Sequence, residues 1–432
     1  MPRRLYSALV MLIAPAAFAV VLLRGFRDRA YWAALGERFG YGRPVGSPSI
    51  WLHAVSLGEV SAAAAVLRAL RLRHPDAPFV LSTATPTGRQ RALSLFGNEV
   101  DVRLLPYDTP GSVRRFLTRI RPRVAIIMET EVWPNVLDAC RRRRVPVVFA
   151  SARLSAKSVA RYRRIGALIR EALSTATVAA QSQEDAERFI AIGADRMLTH
   201  VIGNVKFDMQ LGESVLEQGR ALRHSILGAR SVWVAGSTHA GEEEQMLAAQ
   251  EELRPANAVL VLVPRHPQRF DSVADMLTRR GTRFERRSTG KPLRPEADVL
   301  LADTMGELAA LYAAADAAFV GGSLVPIGGH NLLEPAALGV PVITGPHTAN
   351  SKDIARLLVQ RGGAVVVGDS KELAGALRGL LADPAARERM GSAAREFVEA
   401  QRGSVARLID LIEPLMAEQS RRTASPPAAA NP

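Results

Sequence analysis

The sequence predicts two doubly wound α/β domains that follow an apolar N-terminal helix and face a cleft. The chain has 432 residues, whereas a single hydrophobic core supports up to about 250 to 300 residues. Short runs rich in Val and Ile alternate with helical patterns, which is typical of parallel sheets covered on both faces. The alternation stops over residues 212–230 and then restarts, so we expect a second domain there.

Composition excludes several classes of protein. Hydrophobic residues make up 48% of the chain and charged residues 23%, which excludes wholesale disorder, collagen and a multi-span membrane protein. Cys140 is the only cysteine, so an internal disulfide framework and a zinc site with several cysteines are excluded. The eight histidines form no HExxH or HxxxH pair, and we expect neither a metal nor another cofactor.

The stretch from Leu5 to Leu23 predicts an uncleaved membrane anchor, with residues 1–29 forming the anchor and its basic flank. Its 19 residues are about the length that crosses a bilayer core, and no small-residue cleavage site follows them. Arginines flank both ends, so the distribution of positive charge does not set the orientation. Pro15 leaves a full span and a shallow insertion both open, and a buried core helix is the alternative.

Positive charge is concentrated in the first third of the chain. The formal net charge is +14, and residues 1–150 hold 22 Arg, no Lys and 10 acidic residues. Such a field favours a polyanionic partner, namely a phosphorylated substrate, anionic lipid or nucleic acid. No zinc finger, RRM signature or basic heptad helix is present, so we do not expect nucleic acid. A GC-rich genome would also explain part of the preference for Arg over Lys.

The pattern divides the chain into an N-terminal domain at 30–211, a C-terminal domain at 212–418 and a disordered tail at 419–432. We expect the final helices of the second domain to be able to pack back on the first. Ligands of doubly wound sheets bind where strands end and helices begin. We therefore expect the site in the cleft between the domains, each supplying one ligand, an architecture that suits joining two molecules.

The first strand ends in HAVSLGEV, which places Ser56 and Glu59 at a strand-to-helix turn. A carboxylate in that position can take a proton from an attacking hydroxyl group. The same spacing is that of a capping box, in which Ser56 caps the helix and Glu59 reaches back. The sequence leaves both interpretations open.

The strand VAIIM leads directly into ETEVWPN, so Glu129 and Glu131 lie at its carboxyl end beside Trp133. Two acids there can orient an acceptor sugar or stabilise developing positive charge, or they can compensate a helix dipole. In GNVKFD, Lys206 can neutralise a leaving phosphate or be an ordinary surface lysine.

In the second domain, AGSTHAGEEE turns from a strand into an acidic helix, whose first amides can receive a phosphate or be capped by Ser237. The strand in LVLVPRHPQRF ends with Arg265 and His266, a pair suited to phosphate or base contacts. The segment MGEL presents Met305, Gly306 and Glu307 at another such junction, where they can read a nucleobase or simply start a helix.

A glycine-rich stretch, GGSLVPIGGHNLLEPA, follows a later strand. We expect Gly321, Gly322, Gly328 and Gly329 to let the backbone approach a ligand and to leave its amides free to donate. Its helix opens with N-x-x-E, where the Glu can hold a ribose diol. The same spacing again fits a capping box, so the alternative is purely structural.

A glycine-rich loop that leads into a Glu-bearing helix late in such a chain resembles glycosyltransferases of the GT-B fold. More specifically, the ordered motifs resemble those of 3-deoxy-D-manno-octulosonic acid (Kdo) transferases, over essentially residues 1–415. They are HAVSLGE, PTG, ETEVWPN, ASARLS, GNVKFD, GSTHAGEE, VPRHPQRF, DTMGELAALY and GGSLVPIGGHNLLEPA.

The resemblance implies inverting transfer of Kdo from CMP-Kdo to the lipid A precursor lipid IVA by direct displacement, without a bound metal or other cofactor. It implies a single anchor in the inner membrane, whose anionic lipids the basic domain would meet, and catalytic domains on the cytoplasmic side. By motif, Glu59 is the expected base, and Glu131 and Lys206 stabilise the transition state. The implied CMP contacts are Arg265, His266, Met305, Gly306, Glu307, Asn331, Leu332, Leu333 and Glu334.

Two other classes of function fit parts of the pattern. A sugar-nucleotide epimerase of GT-B architecture would act on a soluble substrate, but it leaves residues 5–23 without a purpose. A non-enzymatic binder of anionic lipid would not bind CMP saturably. No motif specifies the number of Kdo residues added, the acyl-chain preference or the oligomeric state.

Overall fold

A computed structural model describes residues 2–209 and 211–424 of the chain. The chain forms two compact units, the first made of Met1–Met209 with Arg402–Pro432 and the second of Gln210–Gln401. Each unit is built on a parallel seven-stranded sheet. This arrangement agrees with the doubly wound α/β class expected from the alternation of strands and helices.

The sheet of the first unit has the strand order β3-β2-β1-β4-β5-β6-β7, and every neighbouring pair is parallel. Its strands are β1 (Ser49–His53), β2 (Phe79–Thr83), β3 (Asp101–Leu104), β4 (Pro122–Met128), β5 (Val147–Ala152), β6 (Thr177–Ala180) and β7 (Thr199–Val201). Its helices are α1 (Arg3–Gly25), α2 (Leu57–Arg73), α3 (Pro86–Phe96), α4 (Pro110–Ile120), α5 (Pro134–Arg142), α6 (Ala156–Arg163), α7 (Gly166–Leu173), α8 (Gln183–Ile192) and α17 (Ser404–Ala424).

Helices cover both faces of this sheet, which explains why its strands are apolar throughout. Ile50 and Leu52 of β1 pack on one face with residues of α2, α3 and α17. Trp51, between them, packs on the opposite face with residues of α4, α5, α7 and α8. Successive side chains of a strand point to opposite faces, so a strand buried on both sides needs no polar alternation.

Helix α1 is long and apolar enough to cross a membrane, with a mean hydropathy of 2.3 and 6% of that window buried. Its first residues are nevertheless bound to the first unit. Arg3 forms an ion pair with Asp138 at 2.9 Å, and the Ser7 hydroxyl donates to the Asn135 side chain at 2.7 Å. The helix is therefore docked at its N-terminal end, while most of its apolar surface is exposed.

Helix α17 completes the first unit. The carboxylate of Asp208 accepts hydrogen bonds from the backbone N–H groups of Gly403 and Val405, both at 2.6 Å, and so caps the start of the helix. Leu408 and Ile412 then pack in the core beside α2. The sequence pattern assigns residues up to 418 to the second domain and allows its final helices to pack back on the first, because an amphipathic pattern does not identify the sheet that a helix covers. In the structure α17 belongs to the first unit.

The expected disordered tail began at residue 419, but α17 continues to Ala424. The remaining part of that tail, 425–432, lies outside the described residues.

The sheet of the second unit has the order β10-β11-β9-β8-β12-β13-β14 and is also parallel throughout. Its strands are β8 (Val232–Thr238), β9 (Val259–Pro264), β10 (Phe284–Arg286), β11 (Val299–Leu301), β12 (Ala317–Val320), β13 (Val342–Thr344) and β14 (Ala364–Val366). Its helices are α9 (Glu213–Leu222), α10 (Glu243–Glu252), α11 (Phe270–Arg279), α12 (Leu308–Ala313), α13 (Leu333–Ala337), α14 (Lys352–Gln360), α15 (Ser370–Ala382) and α16 (Pro384–Ala400).

A fully buried carboxylate, that of Glu242, holds the glycine-rich loop of this unit. One of its oxygens accepts from the N–H groups of His239 at 3.0 Å and Gly322 at 2.7 Å. The other accepts from Ser323 and Leu324, both at 3.0 Å. Four backbone donors compensate the desolvation of the charge, which makes Glu242 the internal ligand of the loop that follows β12.

Replacing Ile412 by Ala should destabilise the first unit by about 2 to 5 kcal/mol, because the side chain is fully buried against α2. Hydrogen exchange of β4 peptides as a function of urea measures this loss directly. The control is Asp410→Ala on the exposed side of α17, whose contact with Arg73 spans 3.9 Å and should contribute little. Equal exchange in the two variants would show that α17 is not part of this core.

Replacing Glu242 by Gln should loosen the glycine-rich loop, because an amide has one acceptor oxygen and no charge for four donors. We expect the amides of residues 322–324 to exchange at least about tenfold faster, which corresponds to about 1.4 kcal/mol. Glu244→Gln is the matched control, since Glu244 is exposed two residues further along. Unchanged protection of these amides in the Glu242 variant would contradict the assignment.

Candidate functional site

Three carboxylates and one ammonium group meet at the carboxyl edge of the first sheet. Glu59 follows β1, Glu129 and Glu131 follow β4, and Lys206 lies in the short 3-10 turn after β7. We call these four residues the acidic cluster. Parallel strands bring the loops that follow them to one edge, so residues distant in sequence are gathered here.

Glu59 is a capping residue and a member of the cluster at the same time. The Ser56 hydroxyl accepts from the Glu59 N–H at 3.4 Å and donates to the Glu59 carboxylate at 3.1 Å. The other carboxylate oxygen accepts from the Val55 N–H at 2.9 Å. The two sequence interpretations are therefore compatible, because the cap fixes the half-buried carboxylate at the edge of the sheet.

The pKa of Glu59 is raised, chiefly by burial and also by the charge of Glu129. The Val55 N–H, the Ser56 hydroxyl and the Lys206 ammonium oppose the rise. A carboxylate whose pKa is moved upward holds a transferred proton better than an exposed one. Glu59 has the environment of a general base.

Glu129 is the ion-pair partner of Lys206, with Oε1 and Nζ 3.0 Å apart. Its backbone adopts φ = 53°, a left-handed conformation that is uncommon outside glycine. Lys206 is positioned in turn by Asn204, whose side chain accepts from the Lys206 N–H at 3.0 Å. The sequence did not distinguish the two acids of ETE, but in the structure Glu129 is the one that binds the lysine.

Among the residues that the structure describes, Glu131 forms no ion pair with a cationic side chain. Burial first, and then the charges of Glu59 and Glu129, raise its pKa to about 7. The Trp133 indole lowers it somewhat, although its N–H has no hydrogen-bond partner of standard geometry. Near neutral pH Glu131 is therefore about half protonated, so the cluster can hold a proton as well as accept one.

Three imidazoles meet at the carboxyl edge of the second sheet, and we call His239, His266 and His330 the imidazole cluster. The rings of His239 and His330 stack at 9° with centroids 5.0 Å apart, and their Nε2 atoms lie 2.7 Å apart. The ring of His266 meets that of His239 edge-on at 5.5 Å. A hydrogen bond between two imidazoles needs one donor and one acceptor, which is possible only when at least one ring is neutral.

The surroundings keep these rings neutral. Burial lowers the pKa of all three, and Arg265 lowers it further. For His330 the pKa falls to about 4. Within residues 2–209 and 211–424, Arg265 has no carboxylate within 4.0 Å. Its guanidinium group is therefore available to an anion.

Sequence reasoning identified His266 but not its two partners. His239 and His330 are 91 residues apart and belong to different motifs, so only the fold brings them together. A His directly after a strand end, in GSTH, and a His at the end of the glycine-rich loop, in GGH, are the signals that could have suggested both.

The other residues expected to contact CMP, at 305–307 and 331–334, differ in exposure and in their partners. Met305 is 64% exposed, whereas the Glu307 carboxylate forms an ion pair with Arg287 at 2.8 Å. Asn331 accepts from the Leu333 N–H at 3.2 Å and donates to Glu334 at 3.1 Å, which is a capping arrangement. Gly306 adopts φ = 85°. The side chains of Leu332 and Leu333 are buried, so only their backbones remain for a ligand.

The expectation that the glycine-rich loop has free amides is wrong for three of its glycines. The Gly321 N–H donates to the Gly236 carbonyl at 2.8 Å, and the Gly329 N–H donates to the Gly322 carbonyl at 2.7 Å. The Gly322 N–H is held by Glu242. Close packing explains the need for glycine, because a Cβ on Gly321 would lie 2.5 Å from the Ser237 carbonyl oxygen.

Within the described part of the chain, no group of three His, Cys, Asp or Glu side chains is arranged to hold a metal ion. The acidic cluster of the first unit holds carboxylates with raised pKa values. In the second unit, Arg265 supplies a positive charge beside the neutral imidazole cluster.

Residues 33–209 match the family model described as 3-deoxy-D-manno-octulosonic-acid transferase, and residues 280–397 match glycosyl transferases group 1. Among solved structures, a putative UDP-N-acetylglucosamine 2-epimerase from Listeria monocytogenes is 14% identical, with 87% of this chain and 98% of that chain covered and a TM-score of 0.54. MurG of Acinetobacter baumannii is also 14% identical, over 85% of this chain and 100% of that chain, with a TM-score of 0.53. These likenesses show the GT-B-like fold.

Two curated relatives match nearly the whole chain. The 3-deoxy-D-manno-octulosonic acid transferase of Haemophilus influenzae is 39% identical, with 96% of this chain and 99% of that protein covered. The corresponding transferase of Bordetella pertussis is 40% identical over the same shares. Identity of this extent across both units shows that the chain belongs to the 3-deoxy-D-manno-octulosonic acid transferase family.

Proposed function

We propose that the protein is an inverting glycosyltransferase that moves Kdo from CMP-Kdo to lipid IVA in lipopolysaccharide core synthesis. The family supports Kdo transfer, and one observation carries the proposed mechanism. It is the fixed, half-buried carboxylate of Glu59, whose pKa is raised beside two further acids.

In the proposed reaction, a hydroxyl oxygen of the acceptor attacks the anomeric carbon of Kdo as Glu59 takes the hydroxyl proton. The bond from that carbon to the CMP phosphate breaks, and CMP leaves with the electron pair. Attack and departure on opposite faces invert the anomeric centre. The cap from Val55 and Ser56 supports this role, because it holds the base in one position before substrate binds.

Glu131 and Lys206 act on charge in this proposal. The Lys206 ammonium balances Glu129, so the cluster can accept a proton without beginning from three uncompensated charges. Glu131, with a pKa of about 7, adjusts its protonation as charge develops at the reacting carbon. Both roles are electrostatic and need no covalent intermediate.

We assign donor binding to the second unit, on the CMP contacts that the family motifs imply. CMP carries a single phosphate, and Arg265 has a free guanidinium group to meet it. The neutral ring of His266 can donate or accept one hydrogen bond beside it. The segments 305–307 and 331–334 are proposed to contact the nucleoside.

We further propose that α1 holds the enzyme at the cytoplasmic face of the inner membrane by shallow insertion. The pairs Arg3–Asp138 and Ser7–Asn135 tie the start of the helix to the first unit, and Tyr6 donates to Asp108 at 2.8 Å. The chain re-enters the same unit after Gly25. Both ends of α1 then lie on the side of the catalytic unit, which a full span does not allow.

Replacing Glu59 by Gln should lower Kdo transfer by about 100-fold to 10,000-fold, because the amide keeps the acceptor for the Val55 N–H but cannot take a proton. Transfer is measured by mass spectrometry of lipid IVA incubated with CMP-Kdo, and CMP affinity by calorimetry. The CMP affinity should stay within about twofold, since donor binding is assigned to the other unit.

Glu187→Gln, an exposed acid of α8, is the matched control for the loss of one carboxylate. Transfer at the normal rate by the Glu59 variant would overturn its role as base. Loss of CMP binding in that variant would overturn the assignment of donor binding to the second unit alone.

Shallow insertion predicts that residue 4 is accessible from the same side as the catalytic unit. An Arg4→Cys variant and a Lys157→Cys variant, both at exposed positions, should react with a membrane-impermeant maleimide in inverted vesicles and not in right-side-out vesicles. The native Cys140 is fully buried and should give no background. Labelling of residue 4 only in right-side-out vesicles would instead show a full span.

A further inference from the structure

A cavity of about 850 Å³ opens at the amino edge of the first sheet, opposite the acidic cluster. Its walls come mainly from the segments that lead into β1, β2, β4 and β5, and Gln419 of α17 also lines it. The length of β4 separates the two edges, which is about 20 Å. Ligands of doubly wound sheets bind at the carboxyl edge, so this cavity does not belong to the site already described.

Four arginines line the cavity, namely Arg73, Arg121, Arg123 and Arg143, together with His74 and with Asp76 as the acid among them. Glu413 lies next to it and is engaged by His74 at 3.0 Å and by Arg73 at 3.8 Å. The balance of charge around the cavity is therefore positive.

Three of these arginines have no carboxylate partner. Arg121 donates to the Gly46 carbonyl at 3.3 Å, and Arg143 donates to the Arg114 carbonyl and the Thr118 hydroxyl. Nε and Nη2 of Arg123 are buried with no hydrogen-bond partner. Among the side chains that the structure describes, no Asp or Glu lies within 4.0 Å of any of the three guanidinium groups.

Two other half-buried arginines of the same unit do have such partners. Arg89 pairs with Glu37 at 2.8 Å, and Arg3 pairs with Asp138 at 2.9 Å. Burial lowers the pKa of Arg123, and only the more distant Glu413 opposes that shift. Two donor nitrogen atoms of Arg123 are buried without an acceptor, which is costly, so they point to a ligand that supplies the missing oxygen atoms.

The remaining wall is apolar and rich in proline. Pro48, Pro75, Pro78 and Pro122 contribute no backbone N–H donors, and Leu117 and Val145 add aliphatic surface. Specificity for an anion therefore comes from the arginines, while the apolar wall suits a ligand body that carries the anionic group. The volume lies within the range of small-molecule sites, about 300 to 1,000 Å³.

We propose that this cavity is a second anion site, which binds a phosphate ester through Arg121, Arg123 and Arg143 and packs its apolar body against the proline-rich wall. A phospholipid headgroup and a soluble phosphorylated molecule share this chemistry. The site is independent of the proposed transfer reaction, since none of its residues belongs to the acidic or the imidazole cluster.

Inorganic pyrophosphate is the probe, titrated by calorimetry into the full-length protein in detergent at low salt. We expect one saturable site that weakens as salt is added. Arg123→Gln and Arg143→Gln should each lower the affinity for pyrophosphate at least about tenfold, because each removes one guanidinium group that can bind phosphate. Circular dichroism checks the fold of each variant. If Arg123→Gln does not fold, the pyrophosphate affinity of Arg143→Gln alone tests the proposal.

Arg68→Gln is the control that locates the site, because it removes an exposed arginine of α2 outside the cavity. This variant should bind pyrophosphate like the unaltered protein. All titrations contain excess CMP, which occupies the donor site proposed around Arg265 in the second unit. Absence of saturable binding under these conditions, or equal loss in the Arg68 variant, would overturn the proposal.

Competition identifies the source of the phosphate. Displacement of pyrophosphate by dihexanoylphosphatidylglycerol below its micelle concentration supports a lipid headgroup. Displacement by GDP but not by that lipid supports a soluble phosphorylated ligand. Failure of every anion to bind would overturn the site without affecting the Glu59 mechanism, which is tested by transfer.

Discussion

The ion pair between Lys206 and Glu129 is the interaction on which the proposed chemistry of the first unit depends. Three carboxylates gathered at one sheet edge repel one another, and burial adds to the cost of their charges. One ammonium group at 3.0 Å offsets part of that repulsion and gives Glu129 an ion-pair partner. Glu59 and Glu131 are then left as a coupled pair with raised pKa values, which is a suitable state for proton transfer at neutral pH.

In the second unit, backbone N–H groups rather than a side-chain cation compensate a buried carboxylate. Its glycine-rich loop has the composition of an anion-binding loop, but the anion it binds is the protein's own Glu242. These amides therefore fix the loop, so an external anion must be bound by side chains. In the proposed function this is Arg265, which lies beside three imidazoles kept neutral by burial and by its own charge.

Sequence predicted the two sheets well because strands buried on both faces are continuously apolar, a pattern that few other structures produce. It could not assign α17 to a unit, since amphipathicity reveals a buried face and not the surface that covers it. It named both acids of ETE, but their roles depend on the left-handed backbone at Glu129, which no residue type signals. It missed His239, His330 and Glu242 as partners, because their contacts join residues 80 to 91 positions apart.

The charge of the first unit is more informative once it is placed on the fold. Its arginine excess predicts a polyanionic partner, yet the acidic cluster at the carboxyl edge of its sheet holds three acids and one lysine. Three guanidinium groups without a carboxylate partner among the described residues line one cavity at the amino edge. The acidic cluster repels a phosphate, whereas the arginines of the cavity attract one. The proposed anion site at the amino edge, and not the acidic cluster, therefore accounts for part of the arginine excess.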